Sequence, residues 1–234
     1  MKTILYKAKT RGHAKYDWLD SYHSFSFDTY YDPERMNFGA LRVLNDDWIA
    51  PETGFGMHPH KNMEIVSIPI EGYLQHGDSK QNERTITAGD IQVMSAGTGI
   101  IHSERNNHAS IPVISLQIWI MPKQRNTPPK YQDYDIRPLL KENELITIIS
   151  PDGTTEASLQ QDAWFSIGKI ENGKKLSYKL HQENTGVFLF MIEGAAQVGE
   201  NKLSRRDAIG IYQTDEIQLE TLENSHILLI EVPM

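Results

Sequence analysis

The chain has 234 residues, 39% of them hydrophobic and 23% charged, with a formal net charge of −8 and no cysteine. That length suits one large domain or two small ones, and the missing cysteine excludes a disulfide framework, a thiolate metal site and a thiol nucleophile. The acidic balance excludes the broad positive field that nucleic acid or an anionic membrane attracts, so neither is expected as a partner.

The first residues carry Lys2, Lys7, Lys9 and Arg11 with no apolar stretch after them, so a secretory signal is not expected and a cytoplasmic location is the default. From there the chain reads as short apolar stretches rich in β-branched residues, at 65–70, 91–94, 113–121, 145–149, 187–192, 217–219 and 227–232. Turn-like pieces such as Glu71-Gly72, Ala88-Gly89-Asp90, Pro151-Asp152-Gly153 and Glu193-Gly194 separate them. Many short strands between turns predict an all-β fold of antiparallel barrels or jelly rolls with few short helices. The longest unbroken apolar run, 187–192, is far shorter than the ~20 residues a membrane-spanning helix needs.

Residues 122–144 hold Pro122, Pro128, Pro129 and Pro138 among charged and amide side chains, the composition of a linker or of edge structure. They divide the chain into an N-terminal domain at 1–121 and a C-terminal domain at 145–234. The halves are distantly alike: Ile70-Glu71-Gly72 recurs as Ile192-Glu193-Gly194, and the turn at Asp90 is echoed at Asp207. Two tandem barrels account for the recurrence.

Seven of the nine histidines precede Pro122, which places any metal chemistry in the first half. In Gly56-Met57-His58-Pro59-His60-Lys61-Asn62-Met63-Glu64 the two histidines share parity, so on a strand both project from one face. In Gly97-Thr98-Gly99-Ile100-Ile101-His102-Ser103-Glu104 the same holds for His102 and Glu104, and the glycines permit a turn that brings the second pair to the first. Two pairs on two strands make a site of three imidazoles and one carboxylate. Nitrogen and oxygen donors suit Fe(II), the first expectation, and also Mn, Ni, Co, Cu or Zn, with positions left open for substrate or dioxygen. Glu64 reads three ways: a fifth ligand, an acceptor orienting a histidine, or an ordinary strand residue, with the second preferred. His13, His23, His76 and His108 read as surface or hydrogen-bonded histidines, and His181 and His226 lack a paired carboxylate. No Gly-rich phosphate loop, nucleophile elbow or Walker-type lysine is present.

The stretch from His58 to Glu64 and that from Gly89-Asp90 to His102 resemble the two cupin motifs. Arg11-Gly12, Trp18-Leu19, His23-Ser24-Phe25-Ser26-Phe27, Tyr31-Asp32-Pro33, Leu41-Arg42-Val43, Asn45-Asp46-Asp47 and Ser95-Ala96-Gly97-Thr98-Gly99-Ile100 resemble the pirin branch of the bicupins. The general cupin pattern is broken in three places: no glycine stands six residues before His58, Ser95 replaces a common proline, and four residues separate Gly97 from His102. The pirin form shares these departures. The resemblance implies a metal held by His58, His60, His102 and Glu104, with Glu64 outside the ligand set and the second barrel free of metal. It further implies quercetin 2,3-dioxygenase-like activity on a small aromatic flavonol with dioxygen, or, as the alternative, regulation or redox sensing through a protein partner. For the enzyme, Glu104 is the candidate catalytic base that takes the flavonol hydroxyl proton.

Overall fold

The computed structural model describes residues 1–234. It contains twenty-one strands and two short 3-10 turns, and no helix is long and apolar enough to cross a membrane. The strands form four antiparallel sheets, a large and a small one for each of two cupin barrels. In the first barrel the large sheet runs Lys130–Asp135, Asp90–Ser95, Glu64–Glu71, Val113–Ile120, Leu41–Ile49, Leu19–His23, Gly12–Lys15. Its small sheet runs Gly54–His60, Ile100–Arg105, Tyr73–Asp78, Glu83–Thr87. In the second barrel the large sheet runs Lys2–Tyr6, Ala208–Tyr212, Thr185–Glu193, Ser225–Pro233, Trp164–Ile170, Ile146–Ile149. The small one is formed by Lys175–Lys179, Glu216–Thr221, Ala196–Val198 and Asn201–Leu203.

Alternation along each strand explains how the barrels meet. From the first barrel's large sheet, Leu44, Val66, Ile68, Val93, Leu116 and Ile118 point outward and join Phe165, Phe188, Phe190, Leu228 and Ile230 in one apolar cluster of 28 buried residues. Each fully buried side chain of this size contributes about 1.5–3 kcal/mol, so the joint between the barrels is itself the largest core. The opposite face of the second barrel's large sheet, with Val187, Leu189, Met191, Ile209, Ile211 and Leu229, fills that barrel with a further cluster of 14. Residues 187–192 are uninterrupted apolar because both faces of their strand are covered.

The division of the chain differs in two places from that read off composition. Lys2–Tyr6 pairs with Ala208–Tyr212 and so belongs to the second barrel's sheet, although it lies in the part of the chain assigned to the first. Lys130–Asp135, inside the expected linker, pairs with Asp90–Ser95 and completes the first barrel's sheet. Both are edge strands with little burial, which is why hydrophobic alternation leaves them unmarked.

The repeated Ile-Glu-Gly has a physical basis. Gly72 and Gly194 both adopt left-handed φ, +81° and +83°. A β-carbon on either would stand 2.3 Å from a backbone carbonyl oxygen, that of Pro112 or Asn224. Each carbonyl immediately precedes or nearly precedes a core strand in its barrel, Val113–Ile120 or Ser225–Pro233. Asp90 and Asp207 correspond in the same way: each carboxylate accepts the backbone N–H three residues earlier, from Thr87 and Ser204. The equivalent turns mark two copies of one barrel plan.

Candidate metal centre

Unlike the second barrel, the first is lined with polar groups. On the inner face of its large sheet His23 lies opposite Asn45, Asn45 opposite Gln117, Gln117 opposite Ser67 and Ser67 opposite Gln92. A parallel row joins Ser21, Asp47 and Ser115. Burying so many polar side chains is unfavourable without partners, and an interior of this kind cannot close into an aliphatic core.

The small sheet faces these rows with the expected ligands. His58 lies directly across from His102 and His60 across from Ile100, while a bulge between His102 and Glu104 resets the register. The turn before His102 needs its first glycine: Gly97 has φ +47°, and a β-carbon there would meet the Thr127 carbonyl oxygen at 2.0 Å. The backbone N–H of Thr98 donates to that same oxygen, and that of Asn62 donates to the Gly97 carbonyl. Both histidine strands are thus clamped at one end.

His58, His60 and His102 each offer a ligand atom within 4.8 Å of the others, and their ring centroids are 4.4–4.8 Å apart. His58 Nδ1–H donates to the Gly56 carbonyl at 2.8 Å, which leaves Nε2 to ligate. His102 is completely buried, and neither of its ring nitrogens has a hydrogen-bond partner. Such an orphaned imidazole is costly unless something occupies it, and a metal ion held by the three rings would do so. Burial lowers the pKa of His60 to about 4 and that of His102 to about 3, with the neighbouring imidazoles adding to the effect. Both rings are therefore neutral at pH 7, the form that binds metal. The chemistry of the cluster suits a divalent transition metal.

Glu104 is buried on the same face, but it does not complete the compact cluster. One carboxylate oxygen accepts from Ser67 Oγ at 2.7 Å, and the other accepts from Gln117 Nε2. Two neutral donors from the opposite sheet thus fix the carboxylate beside the histidines. Glu64 does not orient a histidine. Its carboxylate accepts from Ser95 Oγ at 2.6 Å and from the backbone N–H of Gln160 at 2.9 Å, tying the barrels together. The turn at 61–63, where Asn62 has φ +52°, ends the histidine strand at His60 and carries Glu64 into the other sheet, so the parity argument does not extend to it.

The remaining histidines divide by location. His13 stacks on Tyr22 at 4.4 Å, and His108 stacks on Tyr73 at 5.4 Å. His76 is hydrogen-bonded, to Asp78 at 3.0 Å, yet it is fully buried behind His102 with ring centroids 5.4 Å apart. The signal for it was the shared parity of His76 and Asp78 in one strand. His23 is also buried, in the wall across from the ligands. In the second barrel His181 Nδ1 bonds Glu231 at 2.8 Å and His226 faces Lys169 across a strand pair, so neither joins a ligand cluster.

A cavity of about 580 Å³ opens onto His58, His60 and Glu104, with Trp18, Phe27, Phe55 and Trp119 as its aromatic walls. Trp119 lies 4.9 Å from His60 and 5.4 Å from Phe27 between ring centroids. A larger, more open cleft of about 880 Å³ at Arg11, Asp46 and Arg206 contains none of the three histidines. Asp47 lies in the wall, its carboxyl pushed up to about 7 by burial, with Ser21 opposing the shift and Asp46 and Glu104 adding to it.

A raised carboxyl pKa means that the folded state holds its proton where the unfolded chain, near 3.8, has released it. The stability contributed by protonated Asp47 is therefore full below about pH 4 and is lost as pH rises to about 7, by roughly 1.4 kcal/mol per unit at most. Asp47→Asn removes this dependence. Thermal midpoints measured from pH 4 to pH 7 should shift in favour of the variant as pH rises, and parallel curves would remove Asp47 as the cause.

Family models match both halves of the chain: Pirin over residues 6–120, and a quercetinase C-terminal cupin domain over residues 147–232. A quercetin 2,3-dioxygenase of Escherichia coli strain K12 is 36% identical over 229 residues, covering 98% of each chain. The crystal structure of YhhW from Escherichia coli superposes with a TM-score of 0.94 at 36% identity, over 99% of this chain and 98% of that one. The bacterial pirin YhhW in complex with nickel(II), also from Escherichia coli, gives 0.93 at 35% identity over 99% of both. With matched barrels, a three-histidine cluster in the first and near-complete coverage by these relatives, the chain belongs to the pirin family.

Proposed function

We propose that the protein is a metal-dependent dioxygenase that opens a flavonol such as quercetin. The observation that carries this reading is the cluster of three imidazoles, among them a fully buried His102 whose ring nitrogens have no partner in the protein, at an aromatic-lined cavity with one buried carboxylate beside it. The name of the 36%-identical Escherichia coli relative supports it. His58, His60 and His102 would hold the ion, and Glu104 is proposed as the fourth ligand. Fe(II) remains the proposed metal, and the nickel(II) complex of the Escherichia coli pirin is consistent with a site that accepts more than one divalent ion.

When bound, a divalent ion supplies Lewis-acid stabilisation of the enolate of the flavonol 3-hydroxyl. The chain's own residues do the rest. Glu104 accepts the hydroxyl proton on a carboxylate oxygen, and Ser67 and Gln117, which donate to it, hold it in place. The contacting pairs Trp119 with Phe27 and Trp18 with Phe55 provide flat apolar surface for the fused rings, which orients the substrate and excludes water.

The test is a turnover assay in air. Loss of the flavonol absorbance should require both metal and dioxygen, consume one dioxygen per flavonol and release carbon monoxide, and a chelator should stop it. Metal-loaded protein that consumes no oxygen with any of several flavonols would overturn the reading and favour regulation through a protein partner.

A further inference from the structure

The cavity wall facing the histidines contains a hydrogen-bonded chain that the mechanism above does not use. Ser21 Oγ donates to Asp47 Oδ1, and His23 Nε2 lies 2.9 Å from the same Ser21 oxygen. Ser21, His23 and Asp47 are 2%, 2% and 4% exposed and all line the cavity, while His23 Nδ1 has no partner in the protein. While Asp47 is ionised, the only Ser21 proton is directed at it, the Ser21 oxygen can then only accept from His23, and so Nε2 carries the proton and Nδ1 is an unprotonated acceptor.

We propose that Asp47, Ser21 and His23 form a proton relay that opens on the cavity and takes up a proton from a phenolic hydroxyl of the bound aromatic. This rests on the flavonol reading and deepens it, because it requires a substrate with an acidic hydroxyl away from the metal end. The phenolic O–H bond breaks and an N–H bond forms at His23 Nδ1. The Nε2 proton passes to Ser21 Oγ, and the original Ser21 proton passes to Asp47 Oδ1. The substrate is left as a phenolate, Asp47 as a neutral acid, and His23 as the other neutral tautomer, with all protons accounted for. Protonation of the product reverses the sequence.

The surroundings suit each role. His23 is lowered to about 4 by burial, against the nearby Asp28 and together with His13 and Arg11, so the imidazole passes a proton on without retaining it. Asp47, pushed up to about 7, faces Ser21, has Asp46 beside it in its strand and feels Glu104 from the opposite sheet. Asp46 itself pairs with Arg11 and Arg206. Asp47 is thus an acceptor matched to neutral pH.

The test uses protein loaded with Zn(II) under argon and 7-hydroxyflavone, which lacks the 3-hydroxyl, so that its absorbance reports only the distal phenol. Bound to the parent, the probe should ionise at least one pH unit below its free midpoint. Ser21→Ala and Asp47→Asn should bind it within about threefold of the parent yet leave the midpoint near the free value, and Ser21→Thr should restore the shift. Thermal midpoints of the variants check that they fold. The same midpoint in parent, Ser21→Ala and Asp47→Asn would overturn the relay, as would failure of the parent to bind the probe. If quercetin is still turned over in air in either case, the dioxygenase reading survives. If it is not, both fall.

Discussion

Replacing His102 by alanine is expected to remove both the metal and the activity. His102 lies directly across the strand pair from His58 and within 4.8 Å of His60 between ring centroids, and it is the one whose two nitrogens are buried without any protein partner. Even partners outside the ligand set are typically worth about 10–100-fold in metal affinity, so loss of a ligand from a three-imidazole cluster should exceed 100-fold. After reconstitution with Fe(II) or Ni(II) and dialysis, metal per chain should fall from near one to background, and flavonol turnover should fall with it. His60→Ala should behave alike. A His102→Ala chain that retains one ion at parental affinity would show that the metal lies elsewhere.

The second large effect is expected at Glu104. Its oxygens accept from two neutral donors. In Glu104→Gln the Ser67 hydroxyl can turn to accept from the new amide, so shape and packing survive while the charge is lost. General-base assistance is worth about 10²–10⁴-fold, and turnover should drop by that factor while metal content falls much less. The two measurements separate the roles proposed for this residue. Near-parental turnover would remove Glu104 as the base, and metal loss as complete as in His102→Ala would make it chiefly a ligand.

The contrast between Glu104 and Glu64 shows what spacing along a chain conveys. His58 and His60 are two residues apart in regular register with Ile100–His102. His102 and Glu104 are two apart on a strand that keeps regular register with Tyr73–Asp78, the extra residue of the bulge lying in the partner strand between Phe55 and His58, so parity places each pair on one face. Glu64 has the same parity as His60, but a left-handed residue at Asn62 lies between them, and one such turn erases the register. His23 and His76 were legible only as isolated histidines. Their decisive neighbours in space, Asp47 reached through Ser21 for His23, and His102 with Tyr131 for His76, come from other strands distant in sequence.

Local sequence therefore determined the strand-rich architecture, the two-barrel plan marked by Ile-Glu-Gly, and the identity of the three imidazoles, because alternation and turn glycines act over a few residues. Tertiary structure alone decided which barrel has a polar interior and which an aliphatic one, that the edge strands Lys2–Tyr6 and Lys130–Asp135 lie where they do, and that Glu104 is held by Ser67 and Gln117. These depend on which strands are neighbours. That choice is made by burying the outer faces of two large sheets against each other, an energy summed over the whole chain that no short segment carries.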